Sequence, residues 1–311
     1  MGTVISTSPH IRSRENISSI MYATAIALLP AGFAGVFFFG YYSGVVIIVS
    51  ILSCILMEFI SQKILGKDVA FDGSAVITGL LLAYVMPPTV PLWLVVIGSV
   101  VAIFLVKHLF GGLGYNIFNP ALAARAVLLA SWPQEMTTWQ WKYGYKNKLI
   151  DTITTATPLG IKKLHVSSTY LNNISYLDMF IGKIPGCIGE VSKIMLLIGA
   201  AYLLARGIIT LHVPLSYILT VSTLSFISGR DVLFDILSGG LILGAFFMAT
   251  DYVTSPISRQ GKIIFGVGCG IITMLIRLFG GFPEGVCYSI LFMNCFTPLI
   301  DKYVRDRKFG E

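Results

Sequence analysis

The side chains best placed for chemistry lie in a hydroxyl-rich segment near the middle of the chain. It runs from Asp151 to Gly160 with the sequence DTITTATPLG and carries four threonine hydroxyl groups. Pro158 ends the segment and favours extended backbone at Thr157, so the hydroxyl groups stay accessible. Composition alone does not exclude an ordinary polar turn here.

A second candidate is an arginine that the sequence places within an apolar segment. Asn119 is a good helix N-cap and Pro120 suits the first helical turn, so a short helix begins there and carries Arg125. An arginine inside a membrane is costly and needs an anionic partner. Two interpretations stay open. Either Arg125 or the helix N-terminus faces an anionic ligand, or Arg125 pairs with an internal carboxylate such as Asp72 or Asp251.

A third candidate is Asp251, which lies at the end of an apolar run within the sequence ATDYVTSP. A carboxylate beside hydroxyl groups and interrupted backbone suits a hard cation such as sodium, or a proton. It equally suits a helix cap or a salt bridge to Arg259 or Lys262. The same alternatives apply to three other carboxylates, those of Glu58, Asp72 and Glu284.

The composition of the whole chain indicates which elements must position these side chains. Hydrophobic residue types make up 55% of the 311 residues and charged types only 12%, with a mean hydropathy of +0.81. Soluble domains carry about 25% charged residues, so this chain has too few polar side chains to cover a soluble fold. Lipid must therefore cover much of it. Because the sequence lacks the alternating segments of a membrane β-barrel, it predicts an all-α integral membrane protein.

The cysteines and the net charge argue against other classes of site. The five cysteines form no CxxC pair and no metal spacing, so we expect no cysteine-ligated cluster contained within this chain. A cysteine shared with a partner subunit is left open. The net charge is +7, but the basic residues are scattered among loops, so no nucleic-acid partner is expected. No nucleophile triad, phosphate loop or zinc pattern stands out, and no catalytic residue is predicted.

Ten apolar runs indicate about ten transmembrane helices, five on either side of a polar stretch. Some are short or interrupted by Gly, Asn or Pro, as is typical where irregular backbone lines a buried site. The runs are 17–39, 41–60, 73–86, 91–110, 119–132, 191–207, 212–228, 232–250, 262–280 and 285–300. The sequence therefore predicts a first five-helix repeat in 1–132, a loop in 133–190, and a second five-helix repeat with a C-terminal tail in 191–311. Because each half holds an odd number of segments, the second repeat is inverted.

The distribution of basic residues predicts the orientation of these helices. The segments on the side of the two termini hold twelve Lys and Arg residues, while the short loops on the other side hold only Arg230 and Arg277. Cytoplasmic loops are enriched in Lys and Arg. Both termini are therefore predicted to be cytoplasmic and the loop 133–190 extracytoplasmic.

The hydroxyl-rich segment resembles the signature Asp-x-x-Ser/Thr-Gly-Ala-Thr, at which a flavin transferase joins FMN to threonine through a phosphoester. Asp151, Thr154, Ala156 and Thr157 match it, while Thr155 replaces the usual glycine. Thr157 corresponds to the acceptor. Four further segments resemble, in this order, the family of Rnf complex D subunits and of B subunits of the sodium-pumping NADH:quinone reductase. They are FDGSAVITGLLLAYVMPP, GGLGYNIFNPALAAR, FIGKIPGCIGE and MATDYVTSP.

This resemblance implies a ten-helix inverted-repeat fold similar to urea and ammonium channels. It implies a subunit, not active alone, of an oxidoreductase that couples electron flow between ferredoxin and NAD to sodium or proton movement across a bacterial or archaeal cell membrane. The implied cofactors are covalent FMN on Thr157 and a non-covalent riboflavin, and the anionic ligand of Arg125 would be flavin phosphate or a reduced isoalloxazine. The implied partners are other subunits of the complex, including membrane subunits and a second covalent-flavin subunit.

The helical architecture by itself also suits two functions without a flavin. Inverted-repeat bundles serve as solute channels or transporters, and a membrane scaffold needs no cofactor at all. A covalent flavin discriminates both from the redox subunit, because neither has a use for it.

Overall fold

The computed structural model describes residues 16–66, 71–141, 153–155, 157–163 and 175–304. Within these residues the chain forms fourteen helices and one short β-hairpin. The first five helices are α1 (Ile17–Phe39), α2 (Tyr41–Ile64), α3 (Ser74–Tyr84), α4 (Leu92–Val100, continued by π-helical turns over Val101–His108) and α5 (Pro120–Ser131). They are followed by α6 (Pro133–Thr137), β1 (Trp139–Trp141), β2 (Ile153–Thr155), α7 (Pro158–Lys163) and α8 (Tyr176–Ile181). The last six helices are α9 (Lys193–Ala205), α10 (His212–Ile227), α11 (Val232–Leu237), α12 (Leu241–Leu243, continued by π-helical turns over Gly244–Met248), α13 (Arg259–Phe279) and α14 (Val286–Tyr303).

Three helices, α1, α2 and α13, are long and apolar enough to cross a membrane. Five shorter apolar helices, α3, α4, α5, α9 and α10, have between 10 and 17 residues. Large apolar side chains on the outer faces are exposed, as at Phe33 and Phe37, which are each 72% exposed. Exposed apolar surface on this scale is characteristic of a lipid-facing protein. The prediction of a helical fold with membrane-length apolar helices is therefore confirmed.

Every predicted apolar run contains a helix, with one run divided in two. The run 232–250 breaks between α11 and α12, where Gly239 adopts a φ of 66°. That left-handed conformation favours glycine, which allows the chain to turn without a Cβ clash. The loop predicted at 133–190 also contains regular structure that the sequence did not indicate, namely α6 to α8 and the hairpin.

The two halves of the chain pack in corresponding ways. In the first half α2 contacts α3 and α4, and α4 contacts α5. In the second half α10 contacts α11 and α13, and α13 contacts α14. Between the halves, the first helices α1 and α9 pack together, as do the fifth helices α5 and α14. The buried apolar side chains form one main core that extends through both halves.

The contact between α1 and α9 depends on a small residue. A Cβ atom at Gly199 of α9 would lie 2.0 Å from the carbonyl oxygen of Ala27 in α1. Small residues let membrane helices approach closely, and van der Waals contact then stabilises the pair. This close crossing joins the two halves.

Candidate functional site

The hairpin and α7 hold Thr157, the predicted flavin acceptor, at the edge of a cavity. Strands β1 and β2 pair antiparallel, with Trp139 opposite Thr155. Two residues later the Thr157 hydroxyl oxygen accepts a hydrogen bond from the Gly160 amide at 3.2 Å, at the start of α7. A threonine followed by proline is a typical helix beginning, since the hydroxyl group caps a free amide and proline needs no partner there.

Thr157 faces a cavity of about 170 Å³, which we call the outer pocket. Thr157 is only 7% exposed, but it lines this pocket directly. The pocket combines aromatic and apolar walls with one guanidinium and one carboxylate. Its lining residues are Arg125, Leu129, Met136, Thr137, Trp139, Thr157, Gly160, Phe282, Pro283, Glu284, Gly285, Cys287 and Tyr288. Such a mixture of apolar wall and few polar groups is typical of a cofactor site.

The two aromatic side chains on one wall are already stacked. The rings of Phe282 and Tyr288 have centroids 5.0 Å apart and planes inclined by 29°. Trp139 approaches from the hairpin and is 7% exposed. A planar heterocycle entering the pocket would therefore meet aromatic surface provided by the loop before α14, by α14 itself and by β1.

Arg125 provides the positive charge of the outer pocket. Its Nη1 lies 2.9 Å from Glu190 Oε1, and its Nη2 lies 2.6 Å from Glu284 Oε2. Nη2 also lies 3.5 Å from the Cys187 sulfur. The predicted internal ion pair therefore exists, but Asp72 and Asp251 were the wrong partners. Asp72 instead accepts hydrogen bonds from Ser74 at the start of α3.

Sequence reasoning missed Glu190 and did not connect Glu284 with Arg125. Glu190 belongs to the segment FIGKIPGCIGE and directly precedes an apolar run, which was the available signal. Carboxylates next to a membrane span are candidate partners for a buried arginine. Glu190 and Glu284 are 65 and 159 residues from Arg125 in the sequence, so sequence spacing could not show that they contact it.

The ligand atoms of Cys187, Glu190 and Glu284 lie within 4.8 Å of one another, a grouping that resembles a metal site. However, the Arg125 guanidinium hydrogen-bonds to all three side chains. A metal cation would have to displace a positive charge held by two carboxylates. The group is therefore an ion-pair cluster around Arg125.

Two lysines of α7 contact the second half of the chain. Lys163 Nζ donates hydrogen bonds to the carbonyl oxygens of Ile276 at 3.2 Å and Phe282 at 2.9 Å. Lys162 Nζ lies 4.3 Å from the centre of the Phe234 ring. These contacts hold the helix that begins after Thr157 against the mouth of the outer pocket.

A second cavity, the inner pocket, has a volume of about 90 Å³ and is lined by Lys107, Asn116, Asn119 and Asp251 among others. Asn119 caps α5, because its Oδ1 accepts hydrogen bonds from the amides of Ala121 at 3.1 Å and Leu122 at 3.3 Å. Arg125 lies six residues further along α5, which corresponds to roughly 9 Å of helix. Asn119 and Arg125 therefore line different pockets.

Asp251 follows α12 in a turn at the inner pocket. Its Oδ2 accepts a hydrogen bond from the Thr254 hydroxyl at 3.3 Å. Burial raises the pKa of its carboxyl group, an effect that the backbone and Thr254 hydrogen bonds partly offset. Within the described residues Asp251 forms no ion pair, so Arg259 and Lys262 were wrong as partners.

The remaining candidate carboxylate, that of Glu58, has structural partners. Glu58 on α2 lies 2.8 Å from Lys107 Nζ and 3.2 Å from His108 Nε2, both at the end of α4.

Of the predicted flavin residues, Asp151 lies outside the described residues, and for Thr154 only the backbone, in β2, is described.

Comparison with known proteins gives a consistent result over the full length. A sequence model of the NQR2, RnfD, RnfE family matches residues 4–310. A relative from Acetobacterium woodii, the D subunit of the Na(+)-translocating ferredoxin:NAD(+) oxidoreductase complex, is 46% identical over 100% of this chain and 96% of its own. The D subunit of the proton-translocating ferredoxin:NAD(+) oxidoreductase complex of Clostridium ljungdahlii is 47% identical over 98% of this chain and 96% of its own. The D subunit of an ion-translocating oxidoreductase complex from Stutzerimonas stutzeri is 37% identical over 96% of this chain and 93% of its own.

Proposed function

Because the chain belongs to the NQR2, RnfD, RnfE family and is a D-type subunit of an ion-translocating oxidoreductase complex, we propose that it carries covalent FMN on Thr157. The FMN exchanges electrons with neighbouring subunits, as ferredoxin and NAD are oxidised and reduced elsewhere in the complex. The chain needs these partners, since it has no dinucleotide-binding fingerprint of its own. They include membrane subunits and a second covalent-flavin subunit.

The position of Thr157 at the outer pocket carries this proposal. The residue that matches the flavin-acceptor signature lines a cavity with aromatic walls and a fixed guanidinium. A bound FMN supplies the electron-carrying chemistry, and the protein tunes it through nearby charge and burial. Arg125 presents a positive charge to the pocket, and its two carboxylate partners prevent the side chain from moving away. The aromatic walls therefore fit a planar group, and Arg125 is the one cation among the lining residues.

The attachment is tested by the intact mass of the purified chain and by in-gel fluorescence. The wild-type chain should show the mass of one FMN phosphoester, and Thr157→Ala should lose both the mass increment and the fluorescence. Thr152→Ala is the matched control, because it removes a hydroxyl from the same segment at a position that the signature leaves open. Retention of covalent flavin in Thr157→Ala would contradict the assignment and favour Thr154 as the acceptor.

We further propose that the inner pocket holds the second, non-covalent flavin and borders the site of the coupling ion. Asn116, Asn119 and Thr250 offer uncharged polar groups, which suit riboflavin because it lacks a phosphate. Asp251 supplies the negative charge that a desolvated sodium ion or proton needs, with Thr250 and Thr254 as nearby oxygen donors.

Asp251→Asn should weaken ion transport more than it lowers flavin content, because it keeps the shape of the side chain but removes its charge. The complex is reconstituted in liposomes, and electron transfer is compared with ion uptake over a range of sodium and proton concentrations. Asp301→Asn, on α14, is the matched control outside the inner pocket. Unchanged ion uptake in Asp251→Asn would show that Asp251 has only a structural role.

The proposed architecture is ten membrane spans in two inverted five-helix repeats, similar to urea and ammonium channels, with the flavin segment outside the cell membrane. The corresponding helix contacts within the halves, and the pairing of α1 with α9 and of α5 with α14, support a two-fold relation. The alternative of a solute channel loses support, because the relatives reported above are all named as oxidoreductase subunits.

A further inference from the structure

Two carboxylates at the base of the outer pocket share a single guanidinium. Glu190 and Glu284 contact different nitrogens of Arg125, and oxygen atoms of the two carboxylates lie within 4.8 Å of each other. Two negative charges this close repel strongly in a medium of low dielectric. When two carboxylates share a site, one of them binds a proton much more readily than an isolated carboxylate does.

The two carboxylates differ in their access to the pocket. Glu284 lines the outer pocket, with 14% of its side chain exposed. Glu190 lies behind Arg125, with only 3% of the residue exposed. Its Oε1 accepts the hydrogen bond from Arg125, while its Oε2 accepts no hydrogen bond from the described residues. Glu190 therefore has an oxygen atom that is available for a proton.

Neighbouring cations do not fully compensate these charges. Lys193 on α9 donates hydrogen bonds to the backbone oxygens of Glu190 and Gly239 instead of to the carboxylate. Arg277 on α13 donates to the backbone oxygens of Asp235 at 2.6 Å and Glu284 at 3.1 Å. The two thiols beside the cluster also donate to backbone oxygens, Cys187 to that of Val85 and Cys287 to that of Leu122.

The surroundings of Glu190 also place its titration near neutral pH. Glu190 precedes α9 and lies outside the helices. Its burial, followed by the repulsion from Glu284, raises the pKa of its carboxyl group to about 7, although Arg125 and Lys193 act in the opposite direction. A small change in local charge is enough to shift the protonation of such a group.

Resting on the proposed flavin at Thr157, we propose that Glu190 and Glu284 form a carboxylate pair that takes up one proton when the flavin in the outer pocket is reduced. One electron from a neighbouring subunit adds one negative charge beside Arg125. One proton from water in the pocket then binds to the pair, forming one O–H bond on Glu190, so the net charge of the site stays constant. When the electron passes on to the next acceptor, that O–H bond breaks and the proton returns to water.

The carboxylate pair should make the midpoint potential of the covalent flavin depend on pH. The reduced state binds more protons than the oxidised state, so the potential falls as pH rises. One proton per electron gives a slope of ~59 mV per tenfold change in proton concentration. We expect this slope above about pH 7, because below the pKa of Glu190 in the oxidised state the pair already holds its proton. The measurement is spectroelectrochemical titration of the purified, flavinylated chain, which requires no turnover of the complex.

Glu190→Gln should lose most of the slope, because glutamine keeps the size of the side chain and cannot bind the proton. Glu284→Gln should weaken the slope as well, since it removes the repulsion that favours protonation. Glu135→Gln, on α6 and outside the pocket lining, is the matched control and should behave as wild type. Reduced-minus-oxidised infrared spectra should show a protonated carboxyl band that disappears in Glu190→Gln.

The outcomes separate this inference from the proposed function. Absence of covalent flavin from the wild-type chain would overturn the assignment of Thr157. A flavinylated chain whose potential does not change with pH would overturn the carboxylate-pair proposal alone. The carboxylate-pair proposal would also be overturned if the Glu190→Gln and Glu284→Gln chains both kept the wild-type dependence of potential on pH and the carboxyl band. Flavin fluorescence of each variant confirms that the pocket has folded.

Discussion

The outer pocket depends on a small number of basic side chains whose roles differ. Arg125 is enclosed by carboxylates and presents its charge to the pocket. Lys163 has a positional role, because it binds backbone oxygens of Ile276 and Phe282. Ile276 lies in the last turn of α13, where its carbonyl oxygen also accepts the Gly280 amide at 2.9 Å and a cation is favourable. Arg125 thus provides the positive charge of the pocket, and Lys163 holds the proposed acceptor segment in position.

Lys163→Met should lower the fraction of flavinylated chain, because the acceptor segment loses its attachment to α13. Removing a partly solvent-exposed charged hydrogen bond of this kind costs about 1 kcal/mol, which corresponds to roughly a fivefold smaller population of the docked segment. Intact-mass measurement gives the flavinylated fraction. Lys183→Met is the matched control, since Lys183 is exposed and lies away from the pocket lining. Equal flavin content in the two variants would show that Lys163 does not position the segment.

Among the helices, the close crossing of α1 and α9 is sensitive to side-chain size. The α1 backbone leaves no room for a Cβ atom at Gly199. Gly44 in α2 provides a comparison, because a Cβ atom there would only make ordinary contacts with Val36, at 3.5 Å or more. Both positions are helical, so an alanine gains the same intrinsic helix propensity at each.

Gly199→Ala should therefore destabilise the protein, while Gly44→Ala should leave it unchanged or stabilise it. Overpacking against a backbone atom costs about 1–3 kcal/mol, which exceeds the gain of about 1 kcal/mol from helix propensity. Thermal unfolding in detergent measures the difference. A Gly199→Ala chain as stable as Gly44→Ala would indicate that α1 and α9 can separate without loss.

At the scale of the whole molecule, the two halves carry similar buried polar groups at corresponding positions. At the end of α4, Lys107 binds Glu58 of α2. At the end of α13, Arg277 binds the backbone of Asp235, whose carboxylate accepts a hydrogen bond from Ser225 of α10. Helices α4 and α13 are the fourth helices of the two halves. In an inverted repeat their ends lie at opposite membrane faces, and one of these polar groups lies at each end.

The proposed topology predicts opposite accessibility for two exposed lysines. In a chain with Cys295 replaced by serine, a cysteine at Lys183 should react with a membrane-impermeant thiol reagent in intact cells. A cysteine at Lys302 should react only after permeabilisation. Both side chains are exposed, so burial does not explain a difference. The reverse pattern would invert the topology and place the flavin segment in the cytoplasm.

The sequence by itself determined the apolar, helical class and the helix positions, and it singled out the segment that we propose as the flavin acceptor. These depend on local properties, because hydropathy averaged over a helix length and the order of residues in DTITTATPLG do not require the fold. Asn119 was likewise recognisable as a helix cap, since a capping side chain binds amides two and three residues away.

Only the tertiary structure decided which charges meet. Arg125 required an anion, but its partners are 65 and 159 residues away, and hydropathy contains no information on such pairing. The same holds for the separation of Asn119 and Arg125 into two pockets, which follows from the direction of α5 between them. A buried charge is stabilised by whichever opposite charge the packing brings within reach, and packing is a property of the whole chain.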